Sequence, residues 1–198
     1  MPDTEITTAE TETSITQQLL SAWTLYQFVE LGQSPSLSTS DSLSKPFKPI
    51  ATFKTLDEFS SVIMRVPRFS SIPDSSYYSV FKDEILPDSS DKRNEKGLRV
   101  STIILPHAST APGYTIDELF SDLMIWMICG DYDLYRFLNG ISYNPQRKSV
   151  DLWVSKAQYA DGMRTQLVGV VERILTLRIG NTGLLKSLRM TIIDHDPK

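Results

Sequence analysis

The stretch Ser149-Val150-Asp151-Leu152-Trp153-Val154-Ser155 alternates polar and apolar residues, which is the pattern of a strand with one buried face. Val150, Leu152 and Val154 would lie together on the apolar face. Trp153 instead falls among the polar residues of the other face. A large aromatic side chain on a polar strand face needs a covering segment, a partner or a ligand. The stretch therefore predicts a sheet with one face packed on the core and one face that can receive a ligand.

Three helices are predicted, two of them before this strand in the sequence and one after it. Thr55-Leu56-Asp57-Glu58 and Thr115-Ile116-Asp117-Glu118 both have the Thr-x-x-Glu form of a capping box. Apolar residues follow each box at helical spacing, until Pro67 stops the first helix and Gly130 stops the second. A third apolar stripe at helical spacing begins near Asp161.

Seven segments, including this one, read as strands, and several alternate as one-sided antiparallel strands do. The predicted order is strand, strand, helix, strand pair, helix, strand pair, helix, strand. Helices packed on one face of a curved antiparallel sheet satisfy this order, so the predicted class is α+β. The predicted strands are 22–29, 50–53, 76–82, 98–105, 138–143, 149–155 and 187–193.

Composition and charge restrict the function. The chain has 198 residues and 40% apolar content, which is enough for one folded domain. Its net charge of -4 argues against binding DNA, or any nucleic acid, through bulk electrostatics. A single cysteine, Cys129, excludes an internal disulfide and a cysteine-based zinc cluster, and its apolar neighbours predict a buried thiol. His107 and His195 have no partners at metal-ligand spacing, so no metal is expected.

The long polar segments set the expected domain boundaries. Residues 1–16 are rich in Thr and Glu and predict a disordered tail, followed by a single domain over 17–198. Residues 32–49 are rich in Ser and Pro and predict a long surface loop. No apolar run is long enough for a membrane span and no secretory signal is recognised, so a cytoplasmic protein is expected. No catalytic triad, P-loop or glycine-rich nucleotide motif is recognised, so we expect a protein that is not an enzyme and has no cofactor.

Several stretches resemble one known family in their order and spacing, and the likeness runs from about residue 17 to residue 193. Among them are Trp23-Thr24-Leu25-Tyr26, Tyr78-Ser79-Val80-Phe81-Lys82-Asp83, Asn94-Glu95-Lys96-Gly97-Leu98-Arg99 and Asp151-Leu152-Trp153. The chain resembles the eukaryotic translation initiation factor 4E family. The resemblance implies a curved antiparallel sheet of about eight strands with three long helices on the convex face. It also implies binding of the mRNA 5′ cap, since the family holds 7-methylguanosine on the concave face.

The resemblance implies roles for individual residues of the concave face. Trp153 corresponds to the Trp that contacts the N7-methyl group, and Arg99 corresponds to a phosphate-binding Arg. Arg147 and Lys148 lie in a loop shorter than is usual in the family, and the resemblance gives them the other phosphate roles. A methylated guanine carries positive charge, so aromatic faces attract it more strongly than they attract the unmethylated base.

The base-stacking part of that site is missing from the sequence. The family has a second stacking Trp and a neighbouring carboxylate where this chain has Ser89 and Ser90. The first stacking Trp of the family belongs to a loop whose single aromatic residue in this chain is Phe47. Asp88 or Asp91 could supply the carboxylate after a small shift of the loop. Because stacking is worth roughly 1–3 kcal/mol per ring, we expect weak or altered cap recognition, which a hypermethylated cap or the first transcribed nucleotides could restore.

The helical back of the family binds the amphipathic helix of a protein partner, either a 4G-like scaffold or a 4E-binding repressor. A Trp of the first helix is replaced by Ser60, and Trp126 lies on the next helix where a Leu is expected. Trp126 either rebuilds the partner groove in another shape or packs in the interior. The residues that the resemblance assigns to this partner surface are Leu19, Leu56, Ser60, Leu123, Trp126 and Gly130.

Three functions stay open from the sequence. The first is a divergent cap-binding initiation factor, which the retained Trp153 and the basic residues favour. The second is a protein-interaction module on the same fold that has lost cap binding and acts in translational control. The third is a protein that binds a different nucleotide or phosphorylated ligand on the concave face.

Overall fold

A computed structural model of the chain describes residues 17–29, 47–73, 76–104, 115–130, 135–155, 160–179 and 188–195. The predicted tail over residues 1–16 and most of the predicted loop over residues 32–49 lie outside these residues. His107 lies outside them as well.

The described residues form one antiparallel sheet of seven strands, so the α+β class and the predicted element order are confirmed. The strands are β1 (Gln18–Val29), β2 (Phe47–Thr55), β3 (Ser76–Lys82), β4 (Leu98–Ile104), β5 (Leu138–Asn144), β6 (Ser149–Val154) and β7 (Leu188–Asp194). In space their order is β2-β1-β3-β5-β6-β4-β7. The strand β6, which carries Trp153, is therefore paired on both sides.

Three helices accompany the sheet, namely α1 (Leu56–Ile63), α2 (Ile116–Cys129) and α3 (Ala160–Ile179). Both predicted capping boxes are formed. The Thr55 hydroxyl accepts from the Glu58 N–H at 3.2 Å, while the Glu58 carboxylate accepts from the Thr55 N–H at 3.2 Å. Thr115 and Glu118 repeat this arrangement at the start of α2. None of the described helices is both long and apolar enough to cross a membrane.

The main core lies between the helices and one face of the sheet. The strand β6 contributes to it the three apolar residues that its alternation predicted. The helix α2 contributes Phe120, whose ring centroid lies 4.3 Å from that of Phe69. Trp23 is also fully buried in this core.

A second, smaller cluster lies on the opposite face of the sheet, termed the free face. It contains no residue of the three helices among those that the structure describes. Trp153 belongs to it, which confirms the face that the sequence alternation predicts for this side chain. The buried members are Tyr26, Phe47, Phe81, Ile85 and Trp153, with Phe28, Tyr77 and Leu86 packed against them.

Two predictions about single residues are wrong. Phe47 does not belong to a loop ending at Pro49, because it begins β2 and pairs with Phe28 of β1. Cys129 is exposed instead of buried, because the residues of the last turn of α2 that face the core are Met127 and Ile128.

Candidate functional site

Trp153 is covered on the free face, although the resemblance implies that it contacts a ligand. The side chain is only 5% exposed. Its indole N–H donates to the hydroxyl of Ser142 at 2.8 Å. Phe81 meets the indole edge-on at 5.4 Å between ring centroids, and the His195 ring lies 4.7 Å away at an angle of 51°. The guanidinium carbon of Arg99 lies 4.9 Å from the indole centroid, which is cation–π distance.

Arg99 is held between this indole and a buried carboxylate. Its terminal nitrogen lies 3.9 Å from an oxygen of Asp151, whose other oxygen accepts from the Ser101 hydroxyl at 2.6 Å. Asp151 is 3% exposed, and a buried carboxylate needs such a cation and donor nearby. The ion pair leaves the Nε of Arg99 buried with no hydrogen-bond partner among the described residues. Arg99 therefore keeps a donor that its contacts with Trp153 and Asp151 do not use.

Strand register places two rows of side chains across the free face. The first row is mostly polar and has the Ser142–Asp151 pair at its centre. The second row is mostly apolar and has Trp153 at its centre, next to Arg99. In spatial order the first row is Tyr26, Ser79, Ser142, Asp151, Ser101 and Thr191, and the second is Thr24, Phe81, Gly140, Trp153, Arg99 and Ile193.

The segment 83–97 covers the Trp153 end of the free face and is braced by its own polar side chains. Asn94 is fully buried, and its amide donates to the carbonyl groups of Leu86 and Asp88 at 2.8 Å each. The Asn94 side-chain oxygen accepts from the amide of Asn139 at 2.9 Å. The guanidinium of Arg93 donates to two further carbonyl groups of the segment. These bonds give the segment a fixed shape without any stacking Trp.

The two carboxylates predicted to replace the family's acidic residue differ in availability. Asp91 accepts from the backbone N–H groups of Leu86 and Arg93 at 3.0 and 2.9 Å. Burial pushes the pKa of Asp91 upward, but these hydrogen bonds outweigh it and the pKa lies below its usual value. Asp88 is partly exposed and uses one oxygen to accept from the Ser90 N–H at 2.8 Å. Asp88 is therefore the carboxylate that can still meet a ligand.

Three aromatic side chains form a stack at the other end of the free face. Phe28 and Tyr77 lie 4.5 Å apart at 13°, which is a parallel stack. Phe47 packs against both rings, at 5.4 Å from Phe28 and 6.2 Å from Tyr77. Phe47 is buried, whereas Phe28 and Tyr77 keep some exposed surface. The predicted ring Phe47 thus supports its neighbours and has little surface of its own to offer.

The charged groups of the site affect the pKa of Tyr77 in this aromatic stack. The pKa of Tyr77 is raised to about 12, chiefly because the phenol is buried and then because Asp88 lies close by. Asp151 raises the Tyr77 pKa further, and Arg99 opposes the shift. Asp88 and Arg99, on different elements of the free face, therefore both influence Tyr77.

Arg147 and Lys148, the other predicted phosphate ligands, are both exposed in the turn between β5 and β6. The Arg147 N–H donates to the side-chain oxygen of Asn144 at 3.0 Å, and Lys148 has a φ of 49°. Since β6 rises about 3.3 Å per residue, Ser149 beside the turn lies roughly 13 Å from Trp153. The turn is therefore at the Tyr77 end of the free face, and their phosphate roles stay predictions.

The residues predicted for the partner surface differ in exposure. Leu123 is fully buried in the core, so the structure corrects its assignment to a contact surface. Trp126 is partly buried and packs against the core, next to Ile125, which is 45% exposed. Leu19 and Leu56 also pack partly against the core, Gly130 is half-buried and Ser60 is exposed.

Sequence reasoning missed Tyr77 and Phe28 as site residues. The doublet Tyr77-Tyr78 carried the signal, because consecutive strand residues point to opposite faces. Tyr78 is in the core, so Tyr77 must be on the free face. Phe28 becomes its partner through the β1–β3 register, in which the two residues are directly opposite.

Comparison with known proteins places the chain among relatives of the same fold. The family model described as Eukaryotic initiation factor 4E matches residues 18–183. Eukaryotic translation initiation factor 4E of Saccharomyces cerevisiae is 29% identical over 106 residues, which cover 54% of this chain and 45% of the relative. The Candida glabrata factor is 28% identical over 106 residues, covering 54% and 46%. The matched region spans less than half the length of these two relatives.

Solved structures show the same architecture. Ascaris suum eIF4E-3 in complex with an m2,2,7G cap superposes with a TM-score of 0.68 at 21% identity, over 81% of this chain and 85% of that chain. C. elegans eIF4E-3 with the 4E-binding protein Mextli and a cap analog gives a TM-score of 0.66 at 19% identity, over 89% and 92%. The family match extends over more than half of the residues and agrees with the shared fold. The chain therefore belongs to the eukaryotic initiation factor 4E family.

Proposed function

We propose that the protein is a cytoplasmic translation initiation factor that binds the 5′ cap of mRNA on the free face. It acts by binding alone, without a cofactor and without covalent chemistry. The observation that carries the proposal is the direct pairing of Trp153 with Arg99 across β6 and β4 in a chain of this family. A cation held in place by an aromatic ring and a buried carboxylate suits the phosphates of a nucleotide bound on this face.

Recognition of the base differs from that implied by the family pattern. Ser89 and Ser90, which replace the stacking Trp and the carboxylate, are exposed at the tip of the segment 83–97. Trp23 is in the core and Trp126 is on α2, so neither can replace the missing indole on the free face. The ligand is therefore a 7-methylguanosine cap or a hypermethylated variant bound with reduced or altered preference. Ascaris suum eIF4E-3, whose fold this chain shares, is a protein solved with an m2,2,7G cap.

Titration with cap analogs tests the proposal. We expect saturable binding of 7-methyl-GTP or of its trimethylated analog, at lower concentration than unmethylated GTP, followed by calorimetry and by tryptophan emission. Arg99→Leu should weaken binding roughly ten- to hundredfold, because hydrogen bonds to charged groups are worth about 1.5–3 kcal/mol. Arg65→Leu, at an exposed position after α1, is the matched control. No binding, or equal binding of methylated and unmethylated nucleotide, would contradict the proposal.

A second candidate function is a protein-interaction module that works in translational control. Ile125 and the partly buried Trp126 lie next to each other on α2, and they give its surface an apolar character. We propose that the amphipathic helix of a 4G-like scaffold or a 4E-binding repressor docks there. C. elegans eIF4E-3, another protein of this fold, is solved with the 4E-binding protein Mextli.

Mutations on the two faces separate the two candidate functions. In a titration with a peptide from a 4E-binding repressor, Trp126→Ala should weaken peptide binding while Tyr26→Phe, on the free face, should not. A peptide that binds the wild type and the Trp126 variant equally would exclude the α2 surface. A wild type that binds the peptide but no cap analog would favour the interaction module over the cap-binding factor.

A further inference from the structure

We infer that Tyr77, backed by Phe28, is the ring on which the base of the bound nucleotide stacks, with Asp88 at the edge of that base. The inference rests on the proposed cap-binding function and names the residues that replace the missing tryptophans. Neither ring was identified from sequence, and both follow from the geometry of the free face.

Trp153 cannot offer a full ring face to a base in this conformation. Phe81 meets it edge-on, His195 lies against it and Arg99 already makes the cation–π contact. Its N–H is also bonded to Ser142, so the ring is fixed in place. A base could stack on Trp153 only after Arg99 gave up its contacts with both the indole and the Asp151 carboxylate.

Tyr77 has the opposite arrangement. Phe28 supports one face of the phenol ring by parallel stacking at 4.5 Å, while Phe47 packs edge-on from the side. The Tyr77 ring keeps exposed surface, in contrast to the buried Phe47 and Trp153. A ring held flat by a second ring is a preorganised stacking platform, because little conformational freedom is lost when a base binds.

The polar groups around Tyr77 match the other parts of a guanine nucleotide. The carboxylate of Asp88 is partly exposed and is close enough to influence the phenol. A carboxylate can accept hydrogen bonds from the N–H donors on the guanine edge. The charge of Arg99 acts on the Tyr77 phenol, and the turn with Arg147 and Lys148 lies at the same end of the sheet as Tyr77, so cations are available for phosphates.

Several buried polar atoms lie in the floor of the free face. The hydroxyl groups of Ser79 and Ser149 are buried and have no hydrogen-bond partner among the described residues, and neither has the Nε of Arg99. Ser79 is two residues from Tyr77 on the same face of β3. These atoms make the layer beneath the proposed base position polar, but each is covered by the chain, so none is a direct ligand contact in this conformation.

The test replaces the ring while keeping its apolar volume. Tyr77→Leu removes the aromatic face but can still pack on Phe28, and Tyr77→Phe keeps the ring and removes the hydroxyl. We expect Tyr77→Leu to weaken 7-methyl-GTP binding roughly five- to hundredfold, and Tyr77→Phe to change it less than threefold. Asp88→Asn should weaken the guanine analog more than the corresponding adenine analog. Thermal melting of each variant confirms that it is folded before it is titrated.

The outcomes separate the inference from the proposed function. If the wild type binds 7-methyl-GTP and Tyr77→Leu binds it within twofold of the wild type, Tyr77 is not the stacking ring, while cap binding stands. If Tyr77→Phe loses as much affinity as Tyr77→Leu, the hydroxyl and not the ring makes the contact, which also overturns the inference. If the wild type binds no nucleotide at all, the proposed function fails and the inference fails with it.

Discussion

The two faces of the sheet are built from different kinds of side chain. The face under the helices is packed with aliphatic and aromatic residues, and most of them are fully buried. The free face mixes a few rings with serines, the Asp151 carboxylate and Arg99, and several of its polar atoms have no partner in the part of the chain that the structure describes. The first face is held together mainly by apolar contacts, whereas the second carries charged and polar groups that can meet a ligand. Stability should therefore depend mainly on the helix side and ligand affinity mainly on the free face.

Phe120→Ala tests the helix side of this comparison and should have the largest effect. Phe120 is fully buried in α2 between Phe69 and Tyr143, so its removal leaves a cavity. We expect a loss of about 3–5 kcal/mol in the free energy of unfolding, measured by urea denaturation. The folded fraction should still bind cap analog as the wild type does. A loss below about 1 kcal/mol, or a selective loss of nucleotide binding, would contradict the division between the faces.

Gly140→Ala tests whether the free face is itself closely packed. A Cβ at this position would lie 2.4 Å from Cγ of Phe81 and 2.6 Å from the carbonyl oxygen of Val80. Both the β3 backbone at Val80 and the Phe81 ring, which meets Trp153 edge-on, would have to move. We expect a loss of about 1–3 kcal/mol in the free energy of unfolding together with a shift in tryptophan emission.

Gly169→Ala is the matched control for Gly140→Ala. It makes the same chemical change in α3, where a Cβ would meet no atom within 4 Å. Because Ala is the better helix former, this variant should be more stable by up to about 1 kcal/mol. Equal stability changes at Gly140 and Gly169 would show that the Phe81 ring adapts freely, and that Trp153 is less firmly covered than its contacts indicate.

The fold could be predicted from the sequence far better than the site. Period-two alternation and the capping boxes at Thr55 and Thr115 are local signals, and the structure confirms the elements that they predicted. The stack of Tyr77 on Phe28 depends instead on the register between two strands, which no local pattern determines. His195 is one of the residues that cover Trp153. The two are far apart in the sequence, so the alternation of residues within a strand cannot predict their contact. The resemblance to the family identified Trp153 as a site residue, but it could not show which rings of this chain take the place of the missing tryptophans.

The pH dependence of stability allows buried Lys82, on the helix side, to be compared with buried Asp151, on the free face. The lysine is buried, and its ammonium group donates to the carbonyl oxygen of Tyr135 at 2.7 Å and lies 4.6 Å from the Tyr135 ring. Burial lowers the pKa of Lys82 from 10.5 to about 8, although Asp83 opposes this shift. Among the described residues no carboxylate is bonded to this ammonium group, whereas Arg99 and Ser101 support the Asp151 carboxylate.

The sign of the pH effect follows from this lowered pKa. Between about pH 8 and pH 10.5 the unfolded chain holds a proton on Lys82 that the folded chain has released, so stability rises with pH in this window. The wild type should therefore gain up to about 1.4 kcal/mol relative to Lys82→Met between pH 8 and pH 9, measured by urea denaturation of both proteins. Other titrating groups largely cancel in the difference. A difference that stays flat would mean that the ammonium group keeps its proton, and that the Tyr135 carbonyl and ring compensate its burial as fully as Arg99 and Ser101 compensate Asp151.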